Sequence, residues 1–167
     1  MNRQKRSFGS QKITRGAAIA ALYVILTYLC SLFGLSSGVI QLRISEALCV
    51  LPAFFPEAIP GLFVGCMISN LISLCAPWDV VFGSIATLIG AIGAYLLRKV
   101  PHKLGFLITL PNIVSNTVII PLILTYVYAV EDGLPFLALT VGIGEIVSCG
   151  VLGTVLYYAV RKKLDRS

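Results

Sequence analysis

Six long apolar runs divide the sequence, and their lengths constrain the fold more than any other feature. A helix that crosses a bilayer needs roughly 20 mostly apolar residues. The runs cover approximately Ile13 to Leu35, Ile44 to Phe55, Ile59 to Leu74, Val80 to Leu97, Leu104 to Val130 and Leu134 to Val160. They predict an all-α integral membrane protein with six transmembrane helices.

Composition agrees with a membrane environment. Of the 167 residues, 57% are hydrophobic and 12% are charged, whereas a soluble domain carries about 25% charged residues. Turn-forming or charged stretches separate the runs. They are Ser36-Ser37-Gly38, Pro56 with Pro60, Cys75-Ala76-Pro77, Arg98 to Lys103 and Glu131-Asp132-Gly133.

The second and third runs are shorter than a bilayer requires. They are compatible with one broken element, a re-entrant pair, or two spans with slack at their ends. Irregular backbone at membrane depth is tolerated only where protein or a cavity covers it.

Basic residues test the number of spans independently. All but Arg43 of the 13 lysines and arginines lie in the N-terminal segment, the loop after the fourth run, or the C-terminal tail. Six spans place these three segments on one side, which the positive-inside rule assigns to the cytoplasm; five spans would put the last cluster outside. We therefore expect a basic cytoplasmic tail at 1–12, a transmembrane domain at 13–160 and a basic cytoplasmic tail at 161–167.

Two other features of the chain have simple interpretations. The first run resembles a signal peptide at its basic start, but it is long and lacks a clear cleavage site, so we expect it to stay as a helix. No C-x-x-C motif occurs, which disfavours a zinc or disulfide framework. The cysteines, expected to be buried in the membrane domain, are Cys30, Cys49, Cys66, Cys75 and Cys149.

Small residues recur at a spacing of four, which lets helix backbones approach closely in lipid. In the third and fourth runs we interpret them as internal packing. These residues are Gly61, Gly65 and Ser69, then Ala86, Gly90 and Ala94. Ala17 and Ala21 in the first run differ, because they lie under the basic tail and could equally form a docking face for another membrane protein.

Polar groups inside spans are energetically costly and are functional candidates by default. Glu145 is the clearest, since nothing nearby in sequence neutralises it. Asn112 and Asn116, four residues apart, share one helix face. The remaining candidates are Arg43 and Glu46 at the start of the second run, Asn70 toward the end of the third, and Trp78 with Asp79 at the start of the fourth.

Most of these candidates also have a structural interpretation. Arg43 and Glu46 could form a helix-start ion pair, and Asp79 could complement a helix dipole. Trp78 could anchor the chain at the membrane interface, and the two asparagines could hold helices together.

Taken together, the candidates predict an outward-opening polar pocket formed by the second, fourth, fifth and sixth helices. Its acids and amides suit a ligand rich in N–H donors, and Trp78, Tyr126 and Tyr128 offer aromatic faces on the same side. The sequence contains no Walker loop, H-E-x-x-H or G-x-S-x-G motif. We therefore do not expect an enzyme.

From about residue 14 to 160 the chain resembles the QueT family. The motifs that carry the resemblance are Gln41-Leu-Arg-Ile-Ser-Glu-Ala-Leu-Cys-Val-Leu-Pro52, Ala58-Ile-Pro-Gly61, Asn70-Leu71, Asp79-Val-Val-Phe-Gly-Ser84, Ala86-Thr87-Leu88 and Val141-Gly-Ile-Gly-Glu145. The family comprises substrate-binding (S) components of bacterial energy-coupling factor (ECF) transporters, assigned to uptake of the queuosine precursors preQ0, preQ1 or queuine.

The resemblance implies a six-helix S-component bundle in the bacterial cell membrane that carries no cofactor itself. It implies an EcfT-like membrane coupling protein and two ABC ATPases as partners, and these ATPases would use ATP and Mg²⁺. Ala17 and Ala21 match the family's Ala-x-x-x-Ala docking pair. The ligand would be a deazapurine, and no nucleic acid partner is implied.

The chemistry of a deazaguanine suits the candidate residues. A guanine-like edge places a ring N–H beside an exocyclic amine, and a carboxylate accepts both as a bidentate pair. We expect Glu145 in this role, with Asp79 or Glu46 as second choices. Asn116 would contact the acceptor edge, and Trp78 would stack on the ring.

Three alternatives remain open from the sequence. The chain could be an S component for another vitamin-like molecule, or a proton-coupled carrier that acts alone. It could also be an intramembrane enzyme with Glu145 as base, although a second catalytic group at depth is not evident.

Overall fold

Six helical rods make up the protein in the computed structural model, which describes residues 2–35 and 42–166, with side chains from Gly9 onward. They are α1 (Asn2–Leu32), α2 (Ile44–Ala53), α3 (Ala58–Ile72), α4 (Pro77–Lys99), α5 (His102–Tyr126) and α6 (Leu134–Leu164). The rods follow the six apolar runs, and the described residues contain no strand. The all-α class is therefore confirmed. The predicted break at Ser36-Ser37-Gly38, and Gln41 of the first motif, lie outside the described residues.

Four of the rods are long and apolar enough to cross a membrane. They are α1 over Gly9–Leu32, α4, α5 and α6. The other two are shorter. At a rise of about 2.0 Å per residue the 3₁₀ helix α2 extends about 20 Å, and α3 extends about 22 Å, against a hydrocarbon core of about 30 Å.

Helix α2 is the centre of the bundle. Every residue from Ser45 to Pro52 is buried, and α2 packs against α1, α4 and α6. Ten residues of 3₁₀ helix are unusual, since such runs rarely exceed four residues. The surrounding helices shield this backbone from lipid, which is the condition under which irregular structure is tolerated at depth. Because residues three apart eclipse in a 3₁₀ helix, Glu46, Cys49 and Pro52 lie in one row.

Glycines bring α1 and α3 into backbone contact. A methyl group on Gly61 would lie 2.5 Å from the Gly16 carbonyl oxygen, and one on Gly65 would lie 3.0 Å from that of Ala20. This close contact between α1 and α3 confirms the packing role predicted for the small residues of the third run. At its end Arg15 and Glu57 form a 2.6 Å salt bridge.

Helices α4 and α5 approach each other just as closely. Ala86 and Ala94 are fully buried, and the Ser115 hydroxyl donates to the Ala86 carbonyl at 2.9 Å. A methyl group on Gly90 would overlap the side chain of Asn112. Gly90 therefore leaves the space in which this asparagine sits.

The helical rod α6 changes its winding in the middle. It is an α-helix over Leu134–Glu145, a π-helix over Ile146–Gly153 and an α-helix again over Thr154–Leu164. π-Helical turns are rare and often mark functional sites. Here the change follows directly after Glu145.

The bundle has one basic end. Arg15 lies over the Phe55 ring, the neighbouring Phe54 ring contacts Tyr157, and the Tyr158 hydroxyl donates to the His102 carbonyl. These contacts join the start of α1, the α4–α5 turn and the end of α6, which carry the predicted cytoplasmic charges. At the opposite end lie the α3–α4 turn and the segment that follows α5. That the basic end faces the cytoplasm stays a prediction.

Candidate functional site

Glu46 is the most deeply buried carboxylate in the described structure, with 2% of its surface exposed. Three neighbours donate hydrogen bonds to it. The Tyr23 hydroxyl of α1 donates to Oε1, while Asn112 Nδ2 donates to Oε2 at 2.9 Å and the Cys49 thiol to Oε2 at 3.4 Å. Both oxygens are therefore occupied by protein groups, as a carboxylate in an apolar interior requires.

Glu145 lies beside Glu46 but is less enclosed. It is half-buried, and its Oε2 accepts a hydrogen bond from Asn112 Nδ2 at 3.3 Å. Together with Arg43, Glu46 and Asn116 it lines a cavity of about 20 Å³, called here the inner chamber. A carboxylate offers roughly four acceptor positions, so Glu145 keeps capacity to accept further donors.

Asn112 bridges the two carboxylates. Its two N–H groups are directed to Glu46 and Glu145, while its buried Oδ1 has no hydrogen-bond partner among the described residues. One turn away, Asn116 Nδ2 donates to the Asn112 carbonyl at 3.1 Å. We call Glu46, Asn112, Asn116 and Glu145 the polar cluster. Helices α2, α5 and α6 supply it, as predicted for three of the four helices.

Arg43 lies directly outside the polar cluster. Its backbone N–H donates to the Ser148 hydroxyl at 3.1 Å. Salt bridges among the described residues include Arg15–Glu57 and Arg161–Asp165, and none joins Arg43 to Glu46. The helix-start ion pair considered for Arg43 and Glu46 is therefore not formed, because Glu46 turns inward to Tyr23 and Asn112.

A second, larger cavity lies on the other side of Arg43, toward the end opposite the basic residues. This outer cavity has a volume of about 290 Å³ and is lined by Thr27, Tyr28, Ser31, Arg43, Asn70, Ile72, Ser73 and Cys75. Its walls come chiefly from α1 and α3, which were not among the helices predicted to form the pocket, although Arg43 and Asn70 were predicted as candidates. All five cysteines are free thiols, and only Cys75 of the five is not buried.

Asp79 and Trp78 lie apart from the polar cluster. Asp79 is 7% exposed and accepts a hydrogen bond from the Tyr128 hydroxyl at 3.1 Å. Its backbone carbonyl accepts from Asn70 Nδ2 at 3.5 Å. Trp78 is 60% exposed and stacks on Phe82, with ring centroids 6.1 Å apart. The structure therefore places neither Asp79 nor Trp78 beside Glu145.

Tyr23 supports the polar cluster through Glu46 and Thr27 lines the outer cavity, although sequence reasoning singled out neither. Both are buried, and Thr27 hydrogen-bonds Ser45 at 2.8 Å. A signal exists in retrospect: Gly16, Ala20, Tyr23 and Thr27 follow the spacing of one helix face. That face packs on α3 and α2.

Ala17 and Ala21 are both exposed on α1. Ala17 lines an apolar groove of about 380 Å³ between α1 and α3 near the basic end, with Gly61 and Val64 among its other walls. The described structure thus leaves both alanines accessible.

Comparison with known proteins identifies the family. The model of the family described as QueT transporter matches residues 13–162. The chain belongs to the QueT transporter family. A curated relative, the "Queuosine precursor transporter QueT" of Lactococcus lactis subsp. cremoris (strain MG1363), is 45% identical over 74 residues. That match covers 44% of this chain and only 43% of the relative. No solved structure matches the chain significantly.

Membership of the QueT family, with four helices of membrane-spanning length, makes the chain a multi-pass cell-membrane protein. The family itself is a family of transporters.

The hydrogen bond between Tyr23 and Glu46 gives a direct test of the site. Tyr23→Phe removes the hydroxyl and leaves a buried carboxylate short of one donor, a loss of about 1–3 kcal/mol. We expect a lower Tm for the purified protein in detergent, with Tyr126→Phe as control because Tyr126 is 79% exposed. Equal Tm values for the two variants would contradict the described network.

Proposed function

We propose that the chain is the substrate-binding S component of an ECF transporter for a queuosine precursor, a 7-deazaguanine such as preQ0, preQ1 or queuine. Membership of the QueT family and the name of the Lactococcus relative support this class of substrate. The observation that carries the proposal is Glu145, a carboxylate with spare acceptor capacity inside the bundle, next to two amides.

The polar cluster offers complementary groups to a guanine-like edge. Glu145 accepts the ring N–H and the exocyclic amine in a bidentate, charge-assisted pair. Arg43, which carries only donors, faces the same chamber and donates to the ring carbonyl oxygen. Asn116 has an amide available for the remaining edge. A base without these donors would leave Glu145 unpaired, which is how a polar site rejects analogues.

Glu46 acts behind this contact and does not touch the ligand. Because its oxygens are occupied by Tyr23, Cys49 and Asn112, it fixes Asn112, which in turn orients Glu145. This division assigns the two carboxylates different tasks. Glu46 is a positioning residue and Glu145 binds the ligand.

Binding also requires movement at Arg43. The inner chamber of about 20 Å³ has room for one water molecule and not for a planar base. Arg43 lines both the inner chamber and the outer cavity. A rotation of its side chain would join the two spaces and admit the base from the outer cavity.

Energy for uptake is supplied by partners in this proposal. An EcfT-like coupling protein docks on the exposed Ala17 and Ala21, and two ABC ATPases bound to it use ATP and Mg²⁺. The basic end of the bundle faces the cytoplasm, where the ATPases are found.

Glu145→Gln tests the ligand contact. Gln keeps the volume but loses the charge, and hydrogen bonds to a charged group contribute about 1.5–3 kcal/mol, so the Kd for preQ1 should rise roughly 10- to 100-fold. Isothermal titration calorimetry on the purified protein measures this change. Glu131→Gln in the exposed segment after α5 is the matched control. Unchanged affinity in Glu145→Gln would rule out the assigned role.

Co-purification tests the S-component assignment. The tagged chain should retain a membrane coupling protein and two ATPases, and Ala17→Leu should reduce the amount retained several-fold while preQ1 affinity stays unchanged. Ala18→Leu is the matched control, because Ala18 is also exposed on α1 but lies on a different face.

Uptake assays complete that test and address the alternatives. Transport by the isolated chain in proteoliposomes, driven by a proton gradient without ATP, would favour the solitary carrier. Binding of a different vitamin-like molecule, with preQ1 excluded, would favour another S-component specificity.

A further inference from the structure

The outer cavity is a separate space from the chamber that holds Glu145. It has a volume of about 290 Å³, against about 20 Å³ for the inner chamber, and the two have Arg43 as their common wall. A base whose donor edge is paired with Glu145 would therefore extend past Arg43 into the outer cavity. Whatever is attached to that base at its far side must fit among the residues that line this space.

Hydroxyl groups of α1 present acceptors to the cavity. Thr27 donates its single proton to the Tyr23 carbonyl at 2.9 Å, and its oxygen lies 2.8 Å from the Ser45 hydroxyl, which can donate to it. Ser31 donates its proton to the Thr27 carbonyl at 3.1 Å. A hydroxyl has one proton and two lone pairs. With their protons bound inside the protein, both hydroxyls can offer only lone pairs to a ligand.

Asn70 on α3 is oriented in a similar way. Its Nδ2 lies 3.5 Å from the Asp79 carbonyl oxygen and 3.7 Å from Cys66 Sγ. The N–H groups of the side chain are thus directed into the protein. The Oδ1 atom remains as the acceptor of this wall.

Arg43 supplies the opposite chemistry, because a guanidinium has donors and no acceptor. A ligand group that satisfies both kinds of wall must donate to Thr27, Ser31 and Asn70 and accept from Arg43. An ammonium donates but cannot accept and is repelled by the guanidinium. A nitrile accepts but cannot donate. A hydroxyl does both.

We propose that the outer cavity is a subsite for a hydroxyl-bearing substituent on the deazaguanine ligand, bound between Thr27, Ser31, Asn70 and Arg43. This assignment rests on the proposed function, since it needs the base to occupy the chamber beside Glu145. It adds a ligand preference to that function: a diol-bearing base binds more tightly than the corresponding amine without the diol.

Two ligands isolate the diol. In preQ1 the base carries an aminomethyl group, and in queuine the same group is extended by a cyclopentene diol. Kd values for both are measured by calorimetry on the wild-type protein, Thr27→Val and Ser31→Ala. Thr125→Val is the matched control, because Thr125 donates to the carbonyl four residues earlier, as Thr27 does, but does not line the cavity.

The expected pattern is specific to the substituent. Queuine should bind the wild type more tightly than preQ1, and Thr27→Val should weaken queuine about five-fold, the effect of one neutral hydrogen bond, while preQ1 changes less than about two-fold. Ser31→Ala should act in the same direction, and Thr125→Val should change neither ligand. Equal weakening of both ligands in Thr27→Val, or no weakening of queuine, would overturn the subsite.

Failure of the proposed function and failure of the subsite give different results. If neither ligand binds the wild type, the proposed function fails, and the subsite fails with it. If preQ1 binds through Glu145 but the diol brings no gain, the proposed function stands and the subsite alone is overturned.

Cys75 gives a second readout that needs no substitution in the cavity. It lines the outer cavity, whereas the other four thiols are buried. Labelling by a membrane-impermeant maleimide is carried out at mildly alkaline pH, because burial raises the pKa of the Cys75 thiol. Saturating queuine should slow the labelling several-fold more than saturating preQ1. Equal protection by the two ligands would place the diol elsewhere and overturn the assignment.

Discussion

The structure depends on the burial of one carboxylate, that of Glu46, at the centre of a helix bundle. A charged group in an apolar interior is strongly unfavourable unless its oxygens are hydrogen-bonded. The donors come from three places: Tyr23 on α1, Asn112 on α5, and Cys49 one 3₁₀ turn away on α2 itself. This requirement fixes how α1 and α5 are rotated about their own axes relative to α2. In the hydrocarbon region, apolar contacts discriminate poorly between alternative helix neighbours. The hydrogen bonds to Glu46 therefore determine how the helices are aligned.

The packing of the bundle serves the same network. Gly90 has no side chain at the place where one would overlap Asn112, and Gly61 and Gly65 let α3 approach α1. Both short elements pack against long helices, α2 on α1, α4 and α6 and α3 on α1 and α4. Glu145 differs from Glu46 in being only half-buried and in having one described hydrogen bond, from Asn112. In this network both oxygens of Glu46 are hydrogen-bonded, whereas Glu145 is held in place by Asn112 and keeps acceptor positions for a ligand. Such preorganisation lowers the cost of binding.

Much of the fold was predictable from the sequence, since the six rods coincide with the apolar runs, and the motifs led to the QueT family. Glu46, Asn112, Asn116 and Glu145 were also predicted as candidates, because ionisable and amide groups stand out against an apolar background.

The conformation of α2 was not predictable. The predicted apolar run, Ile44 to Phe55, is compatible with α and 3₁₀ winding alike. Nor does it show that Arg43 precedes the helix in an extended conformation while Glu46 points inward to Tyr23 and Asn112. The orientation of long helices such as α1 was hidden for a related reason: lipid-facing and core-facing residues are both apolar, so hydropathy does not show that Tyr23 points to the core. The same limit explains Trp78, whose position beside Asp79 in sequence suggested a common site but whose side chain lies on the surface.

The ligand-binding role of Glu145 is tested most simply by mass spectrometry of the small molecules that the protein retains after gentle purification from cells. The wild-type chain should retain a molecule with the mass of a 7-deazaguanine, and Glu145→Gln, purified in the same way, should retain much less of it. A wild-type chain that carries a molecule without a guanine-like donor edge, or a Glu145→Gln variant that retains the deazaguanine as well as the wild type does, would contradict that role.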